Sequence, residues 1–405
     1  MLATTLLTLS GLASFGTAQY VLQDDYSTDS FFSMFDFFTD ADPTEGYVTY
    51  VDQSTASSAS LISTNNNTVY MGVDSTDIAS GSGRQSVRLT SKNSYDTGLV
   101  ILDLEHMPGS VCGTWPAFWM LGADWPTNGE IDIIEGVNSQ VGNAMTLHTG
   151  PECTISNTPT FSGQIRTSNC YVDASGQADN AGCGITTSAS TTYGDGFNAV
   201  DGGVYATEIT SDGISIWNFE RSSIPSDISS GSPDPSGWGE ATASFSGSCD
   251  FSSSFKNLQI VFDTTFCGTW AGTVWSSDAT CSAKASTCED FVQNNPSAFQ
   301  DSYWSVNSLK VYSGSGGSSR NSTTQSVSVS LPATPTQSIS TYASPSWSAG
   351  TGSISSAITV PGTTESASAP TATSTSGYGQ GWGWGNNRPS WTHINEEARY
   401  RYIST

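Results

Sequence analysis

Apolar and polar residues in the middle of the chain follow the short periods of β-strands. Strict alternation runs through "SVRLTSK" (86–92), and a continuous apolar run opens "GLVILDLEHMP" (98–108). Two β-rich runs flank the turn "SDG" within residues 205–221, which is typical of a hairpin. Further strands are predicted at "LQIVFDTTF" and "YWSVNSLKVYS". No segment keeps a 3.6-residue period for long, so the pattern predicts an all-β sandwich over residues 19–312.

Both ends of the chain depart from this pattern. A short apolar run opens the chain and ends in small residues, with Gly16 and Ala18 where a signal peptidase cleaves. This predicts a signal peptide over residues 1–18 and a secreted or cell-wall-associated protein, with a buried first strand as the competing interpretation. Residues 313–405 are rich in Ser, Thr and Gly and of low complexity, which predicts a disordered tail. Its polar end predicts no lipid anchor, and no stable membrane span is expected.

The charge balance narrows the class of partner. The chain carries 37 acidic and 12 basic residues, which gives a formal net charge of -25. Such a surface repels phosphate backbones, so nucleic acid is not expected as a partner. Anionic membranes and anionic polysaccharides are disfavoured for the same reason. A neutral substrate fits the composition better, and the protein is expected to be a monomer.

The cysteines and sequons agree with an extracellular protein. Eight cysteines lie between Cys112 and Cys288, and after a signal peptide they are expected to form disulfides. No CxxC pair or histidine cluster supports zinc, so no metal and no cofactor are predicted. Eight cysteines allow 105 pairings, and the spacing does not choose among them. Sequons for N-glycosylation stand at Asn66 and Asn321.

One apolar strand carries three acids at an irregular spacing. The stretch "GEIDIIEGVN" (129–138) holds Glu130, Asp132 and Glu135. Side chains alternate between the faces of a strand, so a regular strand would turn Glu135 away from the other two acids. A β-bulge inserts one residue and restores the facing. We therefore predict a bulge near residues 133–134, three carboxyl groups on one cleft, and one of the two isoleucines packed inward beside Ile131.

Two glutamates that flank a shared site are the groups that glycoside hydrolysis needs. In a retaining mechanism one carboxylate attacks the anomeric carbon, and the other protonates the leaving oxygen and then activates water. Crowded carboxylates have divergent pKa values, which suits one to each role. Acids on a strand are more often a solvated face, so the neighbouring residues decide between the two interpretations.

Aromatic residues beside the acids favour a carbohydrate site. Indole rings stack on sugar faces while the ring N–H remains free to hydrogen-bond. Trp125, in a loop before the acids, is the best candidate platform, and at least one of Trp115, Trp119 and Trp125 is expected in the core. His148 in "TLHT" is the candidate polar contact, with a structural role as its alternative, and His106 is interpreted as structural.

Several separated motifs together resemble glycoside hydrolase family 16. They are "GTWPAFWMLG", "WPTNGEIDIIEGVN", "TLHT", "FCGTWAGTVW" and "CEDFVQNNPSAFQDSYWSVNSLKVY". The closest likeness is to secreted fungal laminarinase-like endo-1,3(4)-β-glucanases. The resemblance implies a concanavalin-A-like β-jelly-roll sandwich with the substrate in a groove on the concave sheet.

The resemblance also implies roles for individual residues. It makes Glu130 the nucleophile, Glu135 the acid/base and Asp132 the assisting residue of a retaining enzyme. The bulged form of the family motif, ExDxxE, is the one present here. Five residues are placed near the sugars: Trp125, His148, Trp115, Trp119 and Asn138. Trp270 and Trp275 share a family motif but receive no role.

Three functions remain open at this level. The first is a hydrolase that cuts β-1,3- or mixed β-1,3-1,4-glucan. The second is a transglycosylase that passes the glycosyl group to another sugar through the same two glutamates. The third is a glucan-binding protein without activity, which the presence of both Glu130 and Glu135 disfavours.

Overall fold

The computed structural model describes residues 20–65 and 67–314, and strands dominate this part of the chain. The predicted signal peptide, the sequon residues Asn66 and Asn321, and the tail from residue 315 lie outside the described residues. The strands have these bounds: β1 Tyr20–Asp25, β2 Phe35–Phe37, β3 Val48–Tyr50, β4 Ile62–Asn65, β5 Thr68–Gly72, β6 Arg84–Ser86, β7 Arg88–Tyr95, β8 Gly98–His106, β9 Thr114–Leu121, β10 Glu130–Glu135, β11 Ala144–His148, β12 Thr154–Ile155, β13 Gln164–Ile165, β14 Cys183–Thr186, β15 Gly203–Ile209, β16 Ile214–Glu220, β17 Ala243–Phe245, β18 Gly247–Ser248, β19 Leu258–Phe266 and β20 Tyr303–Gly314.

Helices within the described residues are short, as the lack of a 3.6-residue period predicted. They connect strands and supply no layer of their own. Their bounds are α1 Gln53–Ser58, α2 Gly194–Asn198, α3 Ser226–Ser230, α4 Phe251–Ser254, α5 Ala279–Ser282 and α6 Cys288–Asn294. None of the helices in this part of the chain is long and apolar enough to cross a membrane.

The strands form two large antiparallel sheets. The sheet that we call the back sheet has the order β17-β16-β15-β8-β20-β5-β4, with β1 also paired to β20. The other, the front sheet, has the order β13-β14-β11-β10-β9-β19-β7-β2. The predicted hairpin is present, since β15 pairs with β16 from Gly203–Glu220 to Ile209–Ile214. The all-β sandwich is therefore confirmed.

A core between the sheets is filled by the inward face of every central strand. The front sheet contributes residues such as Ile131, Phe118 and Leu147, and the back sheet contributes Leu102 and Val311, all at most 2% exposed. Aliphatic and aromatic side chains on alternating strand positions bury one face of each sheet in this way. The opposite face of the front sheet does not belong to this core.

The continuous apolar run of β8 has a second cause besides the central core. Leu99 and Ile101 point to the outer face of the back sheet, where they pack with Val204 and Tyr312. The segment after β16 covers this face with partly buried apolar side chains, including Trp238. Because both faces of β8 are covered, neither set of positions needs polar residues.

All eight cysteines are paired in disulfides. The bonds are Cys112–Cys281, Cys153–Cys249, Cys170–Cys183 and Cys267–Cys288. Two of them, Cys112–Cys281 and Cys267–Cys288, belong to the smaller core that lies under residues 267–299. Disulfides constrain the unfolded chain and hold such irregular segments, which have little regular structure of their own.

Candidate active site

Strand β10 contains the predicted bulge, and both neighbouring strands show it. Asp132 lies opposite Trp119 of β9, and Glu135 lies opposite Ala117, so three residues of β10 match two of β9. On the other side Asp132 and Glu135 lie opposite Thr146 and Ala144 of β11, again three against two. Trp119 and Ala117 share a face, so Asp132 and Glu135 share it as well. Glu130, two positions before Asp132, lies on the same face.

The extra residue of the bulge is accommodated in the core. Ile131, Ile133 and Ile134 are all 0% exposed and belong to the core between the sheets. The expectation that only one of Ile133 and Ile134 would pack inward is therefore wrong. Two successive inward side chains are what a bulge allows, because its two residues face one residue of the partner strand. The three acids thus lie on the outer face of the front sheet, which we call the cleft face.

Glu135 is held by an indole on the neighbouring strand. Nε1–H of Trp115 donates to Oε1 of Glu135 over 2.8 Å. The ring of Trp115 in turn meets the ring of Trp270 edge to face, with centroids 5.5 Å apart. Trp115 therefore holds the Glu135 carboxyl through its ring N–H, and Trp270 extends the aromatic surface beside Glu135.

Glu130 and Asp132 share a histidine. Glu130 lies directly opposite His148 across the β10–β11 pair. Nε2 of His148 lies 3.2 Å from Oδ2 of Asp132, and the two residues are 7% and 2% exposed. Trp125, in the loop between β9 and β10 as predicted, lies close enough to Glu130 for its indole N–H to lower the pKa of that carboxyl. The sequence-predicted acids, His148 and Trp125 are thus brought together.

Burial and mutual charge raise the pKa values of this cluster. Burial, followed by the charge of Asp132, raises the pKa of Glu130 to about 7, against the opposing effects of His148 and Trp125. The same two causes raise the pKa of Glu135 well above its usual range. Burial lowers the pKa of His148, but its hydrogen bond to Asp132 and the charge of Glu130 outweigh burial and raise it to about 9. Both carboxyl groups therefore hold their protons to higher pH than an ordinary glutamic acid does.

Trp119 occupies the next part of the cleft face. It lies opposite Asp132 on one side and Val261 on the other. The guanidinium of Arg88 sits 5.0 Å from the centre of its ring and 4.0 Å from Asp263. A cation over the face of an indole stabilises the ring in place. Trp119 is therefore a fixed aromatic surface beside the acids.

The tryptophans differ from one expectation. Trp115, Trp119 and Trp125 are all partly exposed, so the expectation that at least one of them would be core is wrong. The reason is the register of β9, which sends residues 115, 117 and 119 to the cleft face and Phe118 to the core. Trp275, by contrast, is 3% exposed and packs in the smaller core. His106 is structural as predicted, since both ring nitrogens have partners, Tyr303 and Asn198.

Asn138 does not have the role that was expected of it. It is 1% exposed, and its amide accepts from the Gly113 N–H and donates to the Ala271 carbonyl, each over 2.8 Å. Both ends of the amide are thus occupied by backbone, which corrects its assignment as a substrate-binding residue. Asn138 instead joins the loop after β10 to the single π-helical turn Gly268–Gly272, which carries Trp270.

Several residues of the site carry no signal in the sequence. Arg88 and Asp263 lie far from the acid motif along the chain, Asn143 lies 8 residues after Glu135, and none of the three matches a chemical pattern. Their placement depends on strand register, which pairs Asp263 with both Ala117 and Arg88. Trp270 was noticed for its motif, but its contact with Trp115 depends on the Cys267–Cys288 loop.

A cation would find three donor groups in this cluster. Among the described residues, Glu130, Asp132 and His148 bring one ligand atom each to within 4.8 Å of one another. A cation bound there would neutralise the carboxylate of Glu130 and occupy the space beside it. The chemistry of two flanking acids requires the carboxylate of Glu130 to be free. We therefore interpret the trio as a catalytic cluster and assign no metal to it.

The cluster should make the protein less stable as pH rises. The folded-state pKa values of Glu130 and His148, about 7 and about 9, exceed the ordinary values of 4.5 and 6.5. A raised folded-state pKa contributes stability that is present below the ordinary value and lost as pH rises through the folded one. We expect Glu130→Gln to raise the free energy of unfolding at pH 7 by about 1–3 kcal/mol, a range that allows for the partial exposure of Glu130.

Thermal unfolding at two pH values measures this effect. The melting temperature of Glu130→Gln should exceed that of the wild type by a few degrees at about pH 7 and match it near pH 4, where Glu130 is protonated in both states. An equal difference at both pH values would show that the gain does not come from the buried charge.

The described part of the chain is similar to proteins of a known family. Residues 35–312 match the family described as "XgeA-like, catalytic GH16 domain", which covers more than half of the chain. The endo-1,3(4)-β-glucanase of Arthroderma benhamiae is 50% identical over 314 residues, which cover 77% of this chain and 69% of that protein. The chain spans less than half the length of several Aspergillus relatives that it matches.

Two solved structures share the fold. One, described as an elongating GH family 16 β-1,3-glucosyltransferase, is 44% identical with a TM-score of 0.69 and covers 73% of this chain and 100% of its own. The other, Laminarinase 16A from Phanerochaete chrysosporium, is 42% identical with a TM-score of 0.69 and covers 73% of this chain and 99% of its own. The sandwich described above is therefore the jelly roll that the sequence motifs predicted.

Proposed function

The chain belongs to glycoside hydrolase family 16, and we propose that it is a secreted, retaining endo-β-glucanase acting on β-1,3- or mixed β-1,3-1,4-glucan. The observation that carries the proposal is the bulge of β10, which sets Glu130 and Glu135 on one face with Asp132 between them. Similarity to the endo-1,3(4)-β-glucanase of Arthroderma benhamiae supports the substrate class.

The two glutamates divide the chemistry by their protonation. Glu130, which lies opposite the imidazolium of His148, is the nucleophile that attacks the anomeric carbon. Glu135, whose pKa is raised well above its usual range by burial and by the charge of Asp132, donates its proton to the leaving glycosidic oxygen. The glycosyl group is then bound to Glu130 as an ester. Glu135, now ionised, takes a proton from water, which displaces Glu130 and releases the sugar with retained configuration.

Asp132 and His148 act on the two glutamates in opposite directions. The charge of Asp132 raises the pKa values of both glutamates. The imidazolium of His148 lies directly opposite Glu130 and favours its ionised form. Asp132 also holds His148 in place through the 3.2 Å contact. The imidazolium opposite Glu130 therefore supports the carboxylate that the first step requires there.

The surface around the acids suits a neutral sugar chain. Trp119, Trp125 and Trp270 present partly exposed indoles on or beside the cleft face. Flat aromatic surfaces bind the apolar faces of pyranose rings without requiring charge on the substrate. A net charge of -25 is compatible with a neutral glucan and unfavourable for an anionic one.

Incubation with three polysaccharides tests the proposal. The secreted protein should release new reducing ends from laminarin, a β-1,3-glucan, or from lichenan, a mixed-linkage glucan, and not from a β-1,4-glucan. A fall in viscosity ahead of the release of small sugars would show internal cleavage. Absence of activity on both laminarin and lichenan would overturn the proposal.

A transglycosylase is the second candidate, because of one specific likeness. A structure that is 44% identical is described as an elongating β-1,3-glucosyltransferase. The same glycosyl ester on Glu130 would then be attacked by a sugar hydroxyl in place of water. Oligosaccharides longer than the substrate, without a net gain of reducing ends, would favour this candidate over hydrolysis.

The charge of His148 should set the pH range of activity. The substitution His148→Asn removes the positive charge that lowers the pKa values of Glu130 and Glu135. Both values should then rise, so both limbs of the profile of kcat/KM against pH should move to higher pH. On the acid limb, where Glu130 must be ionised, kcat/KM should fall by about tenfold or more.

A matched histidine variant controls for effects on folding. His106 lies on the back sheet, away from the acids, and His106→Asn should leave both limbs of the profile where they are. If His148→Asn lowered activity equally at every pH, the electrostatic role of His148 would be wrong.

A further inference from the structure

The bulge of β10 leaves two backbone groups without their regular strand partners. A bulge interrupts the ladder of hydrogen bonds, so a carbonyl and an N–H on the bulged strand need other partners. Here they are the carbonyl of Ile133 and the N–H of Glu135. Ile133 is 0% exposed, so water does not reach this part of the strand to satisfy them.

One side chain satisfies both groups. Nδ2 of Asn143 donates to the Ile133 carbonyl over 2.7 Å, and Oδ1 of Asn143 accepts from the Glu135 N–H over 2.9 Å. The backbone groups have fixed roles as acceptor and donor, so they also determine which way the amide is turned. An asparagine amide carries a donor and an acceptor on one small planar group, and it matches this pair as a strand partner would.

Asn143 is itself held on its other sides. It is 0% exposed and immediately precedes β11. Its own N–H donates to Oγ1 of Thr192 over 3.2 Å, and its carbonyl accepts from the Thr187 N–H over 3.1 Å. Its backbone is therefore anchored to the segment of residues 187–192, and its amide reaches the bulge from a fixed base.

We propose that Asn143 is a positioning residue for Glu135: its amide completes the bulge of β10 and thereby fixes the acid/base carboxyl on the cleft face. The inference rests on the proposed function, because it assigns Glu135 the acid/base role. Without the amide, the strand would relieve two unsatisfied backbone groups by shifting its register or slackening the bulge. Either change moves Glu135 relative to Glu130, which lies before the bulge and keeps its place.

The dependence of activity on the leaving group distinguishes a positioning role of Asn143 from a general loss of structure in the variant. Cleavage of a glucan needs the proton from Glu135, whereas dinitrophenolate leaves a sugar without protonation. We expect Asn143→Ala to lower kcat/KM on laminarin by about 100-fold, as a displacement of about 1 Å does. On the 2,4-dinitrophenyl glycoside of a β-1,3-linked glucose disaccharide, kcat/KM should stay within about threefold, since glycosylation there depends on Glu130 alone.

A matched variant removes an amide of the same kind from another part of the fold. Oδ1 of Asn198 accepts from the Met107 N–H over 3.0 Å, and Nδ2 of Asn198 donates to the Met107 carbonyl over 2.9 Å. Asn198→Ala should lower the melting temperature but leave the ratio of the two activities at the wild-type value. If Asn143→Ala does not fold, the isosteric Asn143→Asp replaces it; this variant keeps the acceptor for Glu135 and should show the same selective loss, only smaller.

The outcomes distinguish this role from the proposed function. The positioning role would be overturned if the Asn143 variant that folds lost activity equally on laminarin and on the aryl glycoside. The proposed function would still stand in that case, provided that Glu135→Ala lost activity selectively on laminarin. A wild-type protein inactive on both substrates would overturn the proposed function, and the positioning role with it. A selective loss in the Asn143 variant, with an unchanged ratio in Asn198→Ala, supports the proposal.

Discussion

Replacement of Glu130 by Gln is expected to lower turnover of laminarin by at least about 10⁴-fold, because a carboxamide does not form the glycosyl ester. Glu130 lies opposite His148 and within reach of Trp125, so its carboxyl is already held in one place before substrate binds. The amide has nearly the same shape, so binding of the sugar chain should persist. Initial rates and calorimetric titration with a laminarin oligosaccharide measure the two effects separately.

Glu208→Gln is the matched control for this change. Glu208 lies on the back sheet, where it accepts a hydrogen bond from the Tyr20 hydroxyl. An amide oxygen can accept the same bond, so the control variant should retain full activity. Unchanged activity of Glu130→Gln would refute the assignment of the nucleophile, and loss of binding together with turnover would show that the change disturbs the cleft rather than the chemistry.

The irregular strand could be inferred from the sequence because two physical rules conflict there. The alternation of faces sends Glu135 away from Glu130, and the chemistry of two flanking acids requires them together. A bulge is the one local change that satisfies both rules, and the register of β10 against β9 and β11 contains it. The strands of the sandwich were predictable for a simpler reason, since their periodicity reports burial directly.

What the sequence did not reveal depends on contacts that arise only when neighbouring strands and loops are placed by the fold. Asn143 looks like any polar residue in a loop, and its role exists only because β11 lies beside the bulge. Asn138 was assigned to the substrate through a motif, but its amide joins two loops whose proximity depends on the fold. Trp115 was predicted as a sugar contact, and its hydrogen bond to Glu135 follows from the pairing of β9 with β10.

The same cluster links stability to function. Burial next to Asp132 raises the pKa values of both glutamates, and this makes Glu135 an acid at the cost of stability above pH 4.5. Glu130→Gln should therefore gain stability at neutral pH as it loses turnover. Gains of this kind at a catalytic position are expected where a site holds charges that the fold alone would not favour.

Removal of Glu135 should have the second-largest effect, and the effect should depend on the substrate. Glu135→Ala removes the proton donor, so kcat/KM on laminarin should fall by about 10²–10⁴-fold. On a dinitrophenyl β-glycoside kcat/KM should change little, because that leaving group needs no proton. Breakdown of the glycosyl ester would then limit turnover, since no base remains to activate water.

Azide provides the deciding measurement, because it attacks without needing a base. The space left by the Glu135 side chain, beside Trp115, lies on the face from which water attacks in the second step. Azide should therefore accelerate turnover of Glu135→Ala and yield the β-glycosyl azide, whereas a Glu130→Ala variant with azide should yield the α-anomer by a single displacement. An α-anomer from Glu135→Ala would mean that the two glutamates have exchanged roles. A β-anomer identifies Glu130 as the residue that carries the sugar and Glu135 as the residue that the bulge returns to the cleft.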